Sequence, residues 1–382
     1  MKIVFTGGST GGHFYPLIAV AEAINDITIE RHILQPQLFY IAPTPFDEEA
    51  LFANNIQYIK SPAGKMRRYR SVLNFTDGFK TIGGIFFSLM RLFRIYPDVV
   101  FSKGGFASVP TVIAAHILRI PIVIHESDAK PGRANLLAAK YAYRIGVAFD
   151  SATQYFPEKT RSKIARTGIP IRKIIAQPPA AEDIAAVQLL HLDTTVPTIL
   201  VIGGSLGSKR INETLLGALP DILSFANVIH QTGKDNYTET VAEAGVSIDK
   251  SPNKSRYHAF PYLTATALRG AANASKLIVS RAGATSIAEI SLWNRPAILI
   301  PIPESVSHDQ RTNAYSYAHT GAAVVLEEAN MTPHVLASEI RRISTDPQLS
   351  QTMAARGAAF GSRDAARIIA DELIAIGLSH TS

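Results

Sequence analysis

Apolar residues along the chain fall into two kinds of run. Short runs that end in glycine or serine alternate with longer stretches in which apolar and polar residues recur at helical spacing. This alternation is the pattern of strand and helix units whose parallel sheet is covered on both faces, because such strands are apolar throughout. The runs predict strands at 2–6, 37–41, 56–61, 98–102, 121–125 and 164–167 in the first half, and at 198–202, 227–231, 257–260, 276–280 and 297–301 in the second. The tail from about Thr332 is alanine-rich and helical. Between the halves, Gly168-Ile169-Pro170 and Gln177-Pro178-Pro179 interrupt the pattern until Thr198. The expected division is therefore a first domain over 1–167, a linker region over 168–196 and a second domain over 197–361.

The halves echo one another. A strand runs into Gly7-Gly8-Ser9 in the first and into Gly203-Gly204-Ser205 in the second. Farther on, Val100-Phe101-Ser102-Lys103-Gly104-Gly105 is matched by Ile278-Val279-Ser280-Arg281-Ala282-Gly283. Two similar nucleotide-fold domains facing each other explain both echoes.

With 382 residues, 47% of them hydrophobic, the chain is long enough for two cores. The absence of cysteine excludes disulfides, thiolate metal sites and cysteine nucleophiles, and fits a reducing compartment. The first strand reaches glycine by Gly7, which leaves no room for the apolar core of a secretory signal. The greasiest region, 99–125, is broken by Lys103, Gly104, Gly105, Pro110, His116, Arg119 and Pro121, so it reads as strand, helix, strand rather than a membrane span. A formal charge of +7 suits phosphates, acidic lipid head groups or nucleic acid equally well.

In open parallel sheets, ligands sit beyond the carboxyl ends of the strands, where glycines let backbone approach phosphate. Both Gly-Gly-Ser turns fall there. Neither is a standard fingerprint: Gly7-Gly8-Ser9-Thr10-Gly11-Gly12 leads to His13 instead of lysine, and neither turn has G-x-G-x-x-G spacing. His13 opens the first helix and reads either as a base projecting into a cleft or as a capping or packing histidine. Without an Asp-x-Asp triplet or a His-Glu-x-x-His run, no metal is indicated. Charge then falls to protein groups: Arg172, near the domain boundary, reads as a phosphate partner or a solvated linker arginine. Glu289, about a turn and a half into a helix, reads as a ribose-hydroxyl acceptor or a surface glutamate.

Taken in order, these motifs resemble the MurG family, the peptidoglycan N-acetylglucosaminyltransferases. The resemblance rests on 7–13, on Ser102-Lys103-Gly104-Gly105-Phe106-Ala107-Ser108-Val109-Pro110, and on His125-Glu126-Ser127-Asp128 with Pro131-Gly132-Arg133-Ala134-Asn135. It rests further on Gly203-Gly204-Ser205-Leu206-Gly207, on 280–289 and on Gln310-Arg311-Thr312-Asn313-Ala314. It implies a GT-B fold of two Rossmann-like domains, UDP-N-acetylglucosamine as donor, and a metal-independent, cofactor-free inverting transfer to the C4 hydroxyl of the muramoyl sugar of lipid I. That acceptor is linked to a polyprenyl diphosphate, and the product is lipid II. The last helix, about 362–378, is expected to pack back on the first domain. By position, Thr10, Gly11 and Gly12 would lie beside donor sugar and diphosphate, Arg172 and Ser205 on the diphosphate, and Glu289 on the ribose. Ala284, Thr285 and Ser286 would line the nucleotide pocket, Gln310 would bind the transferred sugar, and His13 is the candidate general base. Asp128 stands where many members carry an asparagine that contacts the donor sugar; an ionised aspartate only accepts hydrogen bonds, so either the contact differs or the group is protonated.

The loop Gly64-Lys65-Met66-Arg67-Arg68-Tyr69-Arg70 concentrates positive charge, and the following helix carries Ile82, Ile85, Phe86, Phe87, Leu89, Met90, Leu92 and Phe93. Lys65, Arg67, Arg68 and Arg70, with Lys103 and Gly104, are the candidate acceptor and membrane contacts, at an anionic cytoplasmic membrane face. The same apolar residues also fit a helix buried between sheet and loop. No nucleic-acid partner is expected. A UDP-N-acetylglucosamine 2-epimerase, a transferase acting on another glycolipid and a non-catalytic nucleotide-sugar scaffold share the architecture and stay open.

Overall fold

The computed structural model describes residues 1–8, 10–64, 73–204, 206–304 and 308–379, apart from the side chains of 73–76 and 308. The chain forms two compact units, Met1–Lys173 with Ser362–Ser382, and Ile174–Gly361.

The first unit is built on a seven-stranded sheet of β1 (Lys2–Thr6), β2 (Gln37–Ala42), β3 (Ile56–Lys60), β4 (Val99–Ser102), β5 (Ile122–Glu126), β6 (Arg144–Val147) and β7 (Ile164–Arg166), in the spatial order β3-β2-β1-β4-β5-β6-β7. Every neighbouring pair is parallel. Both faces are covered, which is why β4 and β5 are buried at each position and carry apolar side chains on both sides. On one face Ile3, Phe5 and Phe101 pack with Val20, Ile24 and Ile27 of the first helix, Gly11–Glu30. The terminal helix, Ala365–Ser379, adds Ile369, Leu373 and Ile374 to that core. Arg31 to Asp371 (2.5 Å), Arg144 to Glu372 (3.0 Å) and Arg367 to Glu30 (2.5 Å) tie its polar side to the same unit. On the other face Val4, Val100, Ile122 and Ile124 pack with Leu92, Val112, Ala115 and Ala138.

The second unit repeats the scheme with β8 (Thr198–Ile202), β9 (Asn227–Gln231), β10 (Tyr257–Phe260), β11 (Leu277–Arg281), β12 (Ala297–Ile300) and β13 (Ala323–Val325), ordered β10-β9-β8-β11-β12-β13 and again parallel. Residues 174–196 hold the helix Ala181–Gln188, where Asp183 is buried and accepts from Arg269 Nε at 2.8 Å.

Two strands were not anticipated, β6 and β13. β6 mixes its apolar residues with Arg144 and Gly146, β13 is a three-residue strand at the sheet edge, and pairing to neighbours defines both. Gly146 within β6 has a steric reason: a Cβ there would stand 3.1 Å from both the His125 ring and Thr167 Oγ1.

Candidate functional site

In each sheet the chain order reverses once, between β1 and β4 and between β8 and β11. Loops leaving the carboxyl ends of such a pair diverge and leave a crevice, the usual ligand position in open parallel sheets. The paired glycine motifs lie at these two reversals.

In the first unit, Gly7 (φ +124°) and Gly8 (φ +79°) carry the chain from β1 towards the first helix. A Cβ on Gly7 would sit 2.9 Å from Gly104 O, so only glycine lets the β1 and β4 loops pack together. Tyr40 donates its hydroxyl to Gly7 O at 2.6 Å and fixes the turn. Thr10 is the extended N-cap residue, and Gly11, Gly12 and His13 form the first helical turn, whose free N–H groups and positive dipole end favour an anion. His13 Nδ1 lies 3.0 Å from Thr10 Oγ1. Burial, reinforced by the Lys103 charge, pulls the imidazole down to about 4, so it is neutral at physiological pH. Gly105 (φ +77°) leaves room beside the ring: a Cβ there would lie 3.8 Å from His13 Cδ2 and 3.9 Å from Nε2.

Behind this edge lies a buried charged cluster. Lys103 is 1% exposed, and its ammonium donates to Ser127 Oγ at 2.5 Å. The side chain is thus turned into the protein. Glu126 accepts from Asp128 N (2.9 Å), Gly132 N (3.0 Å) and Asn135 Nδ2 (3.0 Å). Burial, then the neighbouring Asp128 charge, pushes its carboxyl up to about 7, and burial pulls Lys103 down to about 8 against the opposing pull of Glu126 and Asp128. His125 meets Gly168 O through Nε2 at 2.8 Å and is held well below its ordinary value by burial, then by Lys103. Gly104 (φ +86°) is cradled by Asn135, whose amide would stand 2.7 Å from a Cβ. Arg172 also belongs to this unit. Its guanidinium stacks 3.9 Å over the Tyr15 ring, and the Tyr15 hydroxyl donates to Asp47 at 3.2 Å.

In the second unit, Gly203 and Gly204 lead from β8 to the helix Lys209–Ile222, capped by Ser208, whose Oγ accepts from Ile211 N at 3.4 Å. Gln231 at the end of β9 donates to Gly204 O at 3.0 Å and accepts from Leu263 N at 2.9 Å, holding the turn open. Arg281, ending β11, donates to Ser208 Oγ (2.6 Å), Ile300 O (3.2 Å) and Pro301 O (3.4 Å) and pairs with Glu328 at 2.5 Å. Gly283 caps the helix Ala284–Leu292, which puts Ala284, Thr285 and Ser286 in its first turn and partly buried Glu289 just beyond it. Gln310 accepts from Ile302 N at 3.2 Å, just beyond β12.

Ser205, Lys65, Arg67, Arg68 and Arg70 lie outside the described residues. Among the described residues, no group of three or more His, Cys, Asp or Glu side chains is placed to hold a metal ion. No described helix is long and apolar enough to cross a membrane. The helix Leu73–Ile95 nevertheless exposes Phe79, Ile82, Phe86, Met90 and Phe93, at a spacing that lines one side of a helix, with exposures from 44% to 69%.

Residues 3–147 match the glycosyltransferase family 28 N-terminal domain, and residues 198–369 match the family 28 C-terminal domain. A UDP-N-acetylglucosamine--N-acetylmuramyl-(pentapeptide) pyrophosphoryl-undecaprenol N-acetylglucosamine transferase of Lachnospira eligens is 36% identical over 347 residues, 90% of this chain and 91% of that one. The chain belongs to glycosyltransferase family 28. A Clostridium kluyveri protein of the same description is 35% identical over the same shares of the two chains. Among solved structures, Acinetobacter baumannii MurG superposes with a TM-score of 0.73 at 24% identity, covering 98% of this chain and 99% of that one. The Neisseria meningitidis UDP-GlcNAc 2-epimerase bound to UDP-GlcNAc gives 0.65 at 13% identity, covering 98% and 100%. Those two likenesses show the GT-B-like fold alone.

For a family 28 glycosyltransferase, the sequence reasoning singled out the loop residues and missed their supports. Glu126, Ser127 and Asn135 stood inside quoted motifs without a role, and Tyr15, Ser208 and Gln231 had no signal of their own. Arg281 had one: it holds the place in the second repeat that Lys103 holds in the first.

Proposed function

We propose that this family 28 enzyme moves N-acetylglucosamine from UDP-N-acetylglucosamine to the C4 hydroxyl of the muramoyl sugar of lipid I, forming lipid II for peptidoglycan. The observation that carries this reading is the 36% identity, across nine-tenths of both chains, to a relative whose name states that reaction.

In this reading His13 is the base. If Nδ1–H donates to Thr10 Oγ1, Nε2 keeps its lone pair and faces the space that Gly105 leaves open. The acceptor hydroxyl gives its proton to Nε2 as its oxygen bonds to the sugar C1, and the bond from C1 to phosphate breaks with its electron pair going to UDP. Growing negative charge on UDP falls to the N–H groups of the glycine turn and helix starts of the second unit, at Ser208 and Gly283, with Arg172 the candidate cation for the diphosphate. Protein groups thus take the place of a metal. Glu289 accepts from the ribose hydroxyls, Ala284, Thr285 and Ser286 line the nucleotide, and Gln310 and Asp128 meet the transferred sugar.

The polyprenyl acceptor requires a membrane surface. The exposed apolar line on the helix Leu73–Ile95 follows Lys65, Arg67, Arg68 and Arg70 in sequence, a combination suited to an anionic interface, so the enzyme works as a peripheral protein at the cytoplasmic face.

The test is label transfer from UDP-N-acetylglucosamine to a short-chain lipid I analogue. Label should appear in a lipid II analogue, and His13→Ala should abolish most turnover while leaving UDP binding intact. Transfer only to another lipid, or conversion of the donor with no acceptor present, overturns the reading.

A further inference from the structure

The loop after β5 is wound around one buried carboxylate. Glu126, the last residue of β5, is only 4% exposed. Its Oε1 accepts from Asp128 N–H at 2.9 Å, and its Oε2 accepts from Gly132 N–H and Asn135 Nδ2, both at 3.0 Å. Gly132 caps the helix Arg133–Ala139, and Asn135 lies in its first turn. Asn135 Nδ2 also donates to His125 O at 3.1 Å, which engages both of its hydrogens and fixes the amide's orientation.

Three donors from three positions thus converge on one acceptor side chain, and hydrogen bonds to such a group are the strong kind. The burial pattern shows what the clamp leaves outside: His125, Glu126, Ser127 and Ala129 are buried, and within that run Asp128 alone is partly exposed. The clamp also touches the loop after β4. The Asn135 amide stands 2.7 Å from where a Gly104 Cβ would be, and a Cβ on Gly105 would face His13 Nε2 at 3.9 Å.

We propose that Glu126 is a positioning residue for glycosyl transfer: it locks the loop after β5 in the arrangement that presents Asp128 to the transferred sugar. This rests on the reading of Asp128 as a sugar contact. Glu126 lies beneath the loop and acts through Asp128.

Glutamine has nearly the shape of glutamate, but one of its two ends donates instead of accepting. With its oxygen towards Gly132 and Asn135, its NH2 faces Asp128 N–H, donor against donor; turned round, it faces the other two donors. Glu126→Gln therefore breaks at least one tie without opening a cavity.

Hydrogen exchange of the full chain, read by mass spectrometry without substrate, should run about tenfold faster over 127–135 in Glu126→Gln. Unchanged exchange there overturns the proposal. Transfer is then compared across wild type, Glu126→Gln, Asp128→Ala and the double variant. Glu126→Gln should lower kcat/KM about tenfold or more. Made in the Asp128→Ala background, the same change should cost about twofold or less, because nothing is left to position. Equal losses in the two backgrounds would make Glu126 general scaffolding and refute the positioning role. Should the glutamine variant not fold, Gly132→Pro repeats both arms. Gly132 is exposed, its φ of −69° suits proline and the space at its Cβ is open, so that change replaces one donor by a ring carbon from the surface side. Normal transfer by Asp128→Ala refutes the sugar contact, and with it this role for Glu126. Absence of transfer by the wild-type protein refutes the substrate reading instead and leaves the exchange result to decide the clamp.

Discussion

Replacing Arg281 with lysine tests whether the carboxyl-end loops of the second unit, the proposed nucleotide side, are held by a single guanidinium. The fork reaches four acceptors: Ser208 Oγ at 2.6 Å, Ile300 O at 3.2 Å, Pro301 O at 3.4 Å and Glu328 at 2.5 Å. The side chain is only 12% exposed, so water cannot replace what is lost. A lysine ammonium is a compact point charge without the planar fork, and it can keep the Glu328 pair but not span to Ser208 and the β12 end as well. Losing about two charge-assisted hydrogen bonds, at roughly 1.5 kcal/mol or more each, costs about 3 kcal/mol. For a unit of this size, about 2–4 °C per kcal/mol places the fall in its melting temperature at about 6–12 °C. Differential scanning calorimetry of the full chain should show that fall, and calorimetric titration should show weaker UDP binding, because Ser208 caps the helix that follows the glycine turn. A melting temperature within about 2 °C of wild type, with UDP affinity intact, would refute the reasoning.

Other consequences follow from the same geometry. His230 is neutral between Tyr257 OH (2.9 Å) and Asn212 Oδ1 (3.1 Å), and burial pulls it down to about 3 from an ordinary 6.5. The unfolded chain therefore binds a proton that the folded unit refuses. Stability is full above pH 6.5 and falls as pH drops towards 3, by about 2 kcal/mol between pH 7 and pH 5 from this group alone; urea unfolding with equal midpoints at the two pH values would contradict it. His258, also lowered by burial, contributes with the same sign. Gly105→Ala forces a side chain onto a φ of +77° and fills the space beside His13 Nε2. Transfer should drop at least tenfold with UDP binding unchanged, and normal turnover would show that the acceptor does not approach there. Ile82→Glu with Phe86→Glu alters side chains that are 65% and 66% exposed, so melting should hold while binding to anionic vesicles weakens at least tenfold; unchanged vesicle binding would remove this face from membrane docking.

Much of the architecture was legible because it depends on local pattern. Strands with uninterrupted apolar centres, such as β1, β4 and β8, declare a sheet covered on both faces, and the glycines after them mark turns in backbone regions that side chains resist, as at Gly8 and Gly104. The candidate loop residues were legible for the same reason: they adjoin those turns. β6 and β13 were not: β6 breaks its apolar residues with Arg144 and Gly146, and β13 is a three-residue edge strand defined by its pairing to β12.

The order of apolar and polar residues, with the duplicated glycine turns, by itself determined that this chain builds two parallel sheets with ligand-type loops at their carboxyl ends. Only the tertiary structure decided what charge those loops sit on. Lys103 was readable as an outward contact until folding put its ammonium against Ser127, and Arg172 was a boundary arginine until it stacked on Tyr15. Periodicity reports which face of an element is buried, but a charged residue at the end of a strand belongs to no period. Its direction and protonation are set by groups from distant parts of the chain that reach it only when the sheet has formed.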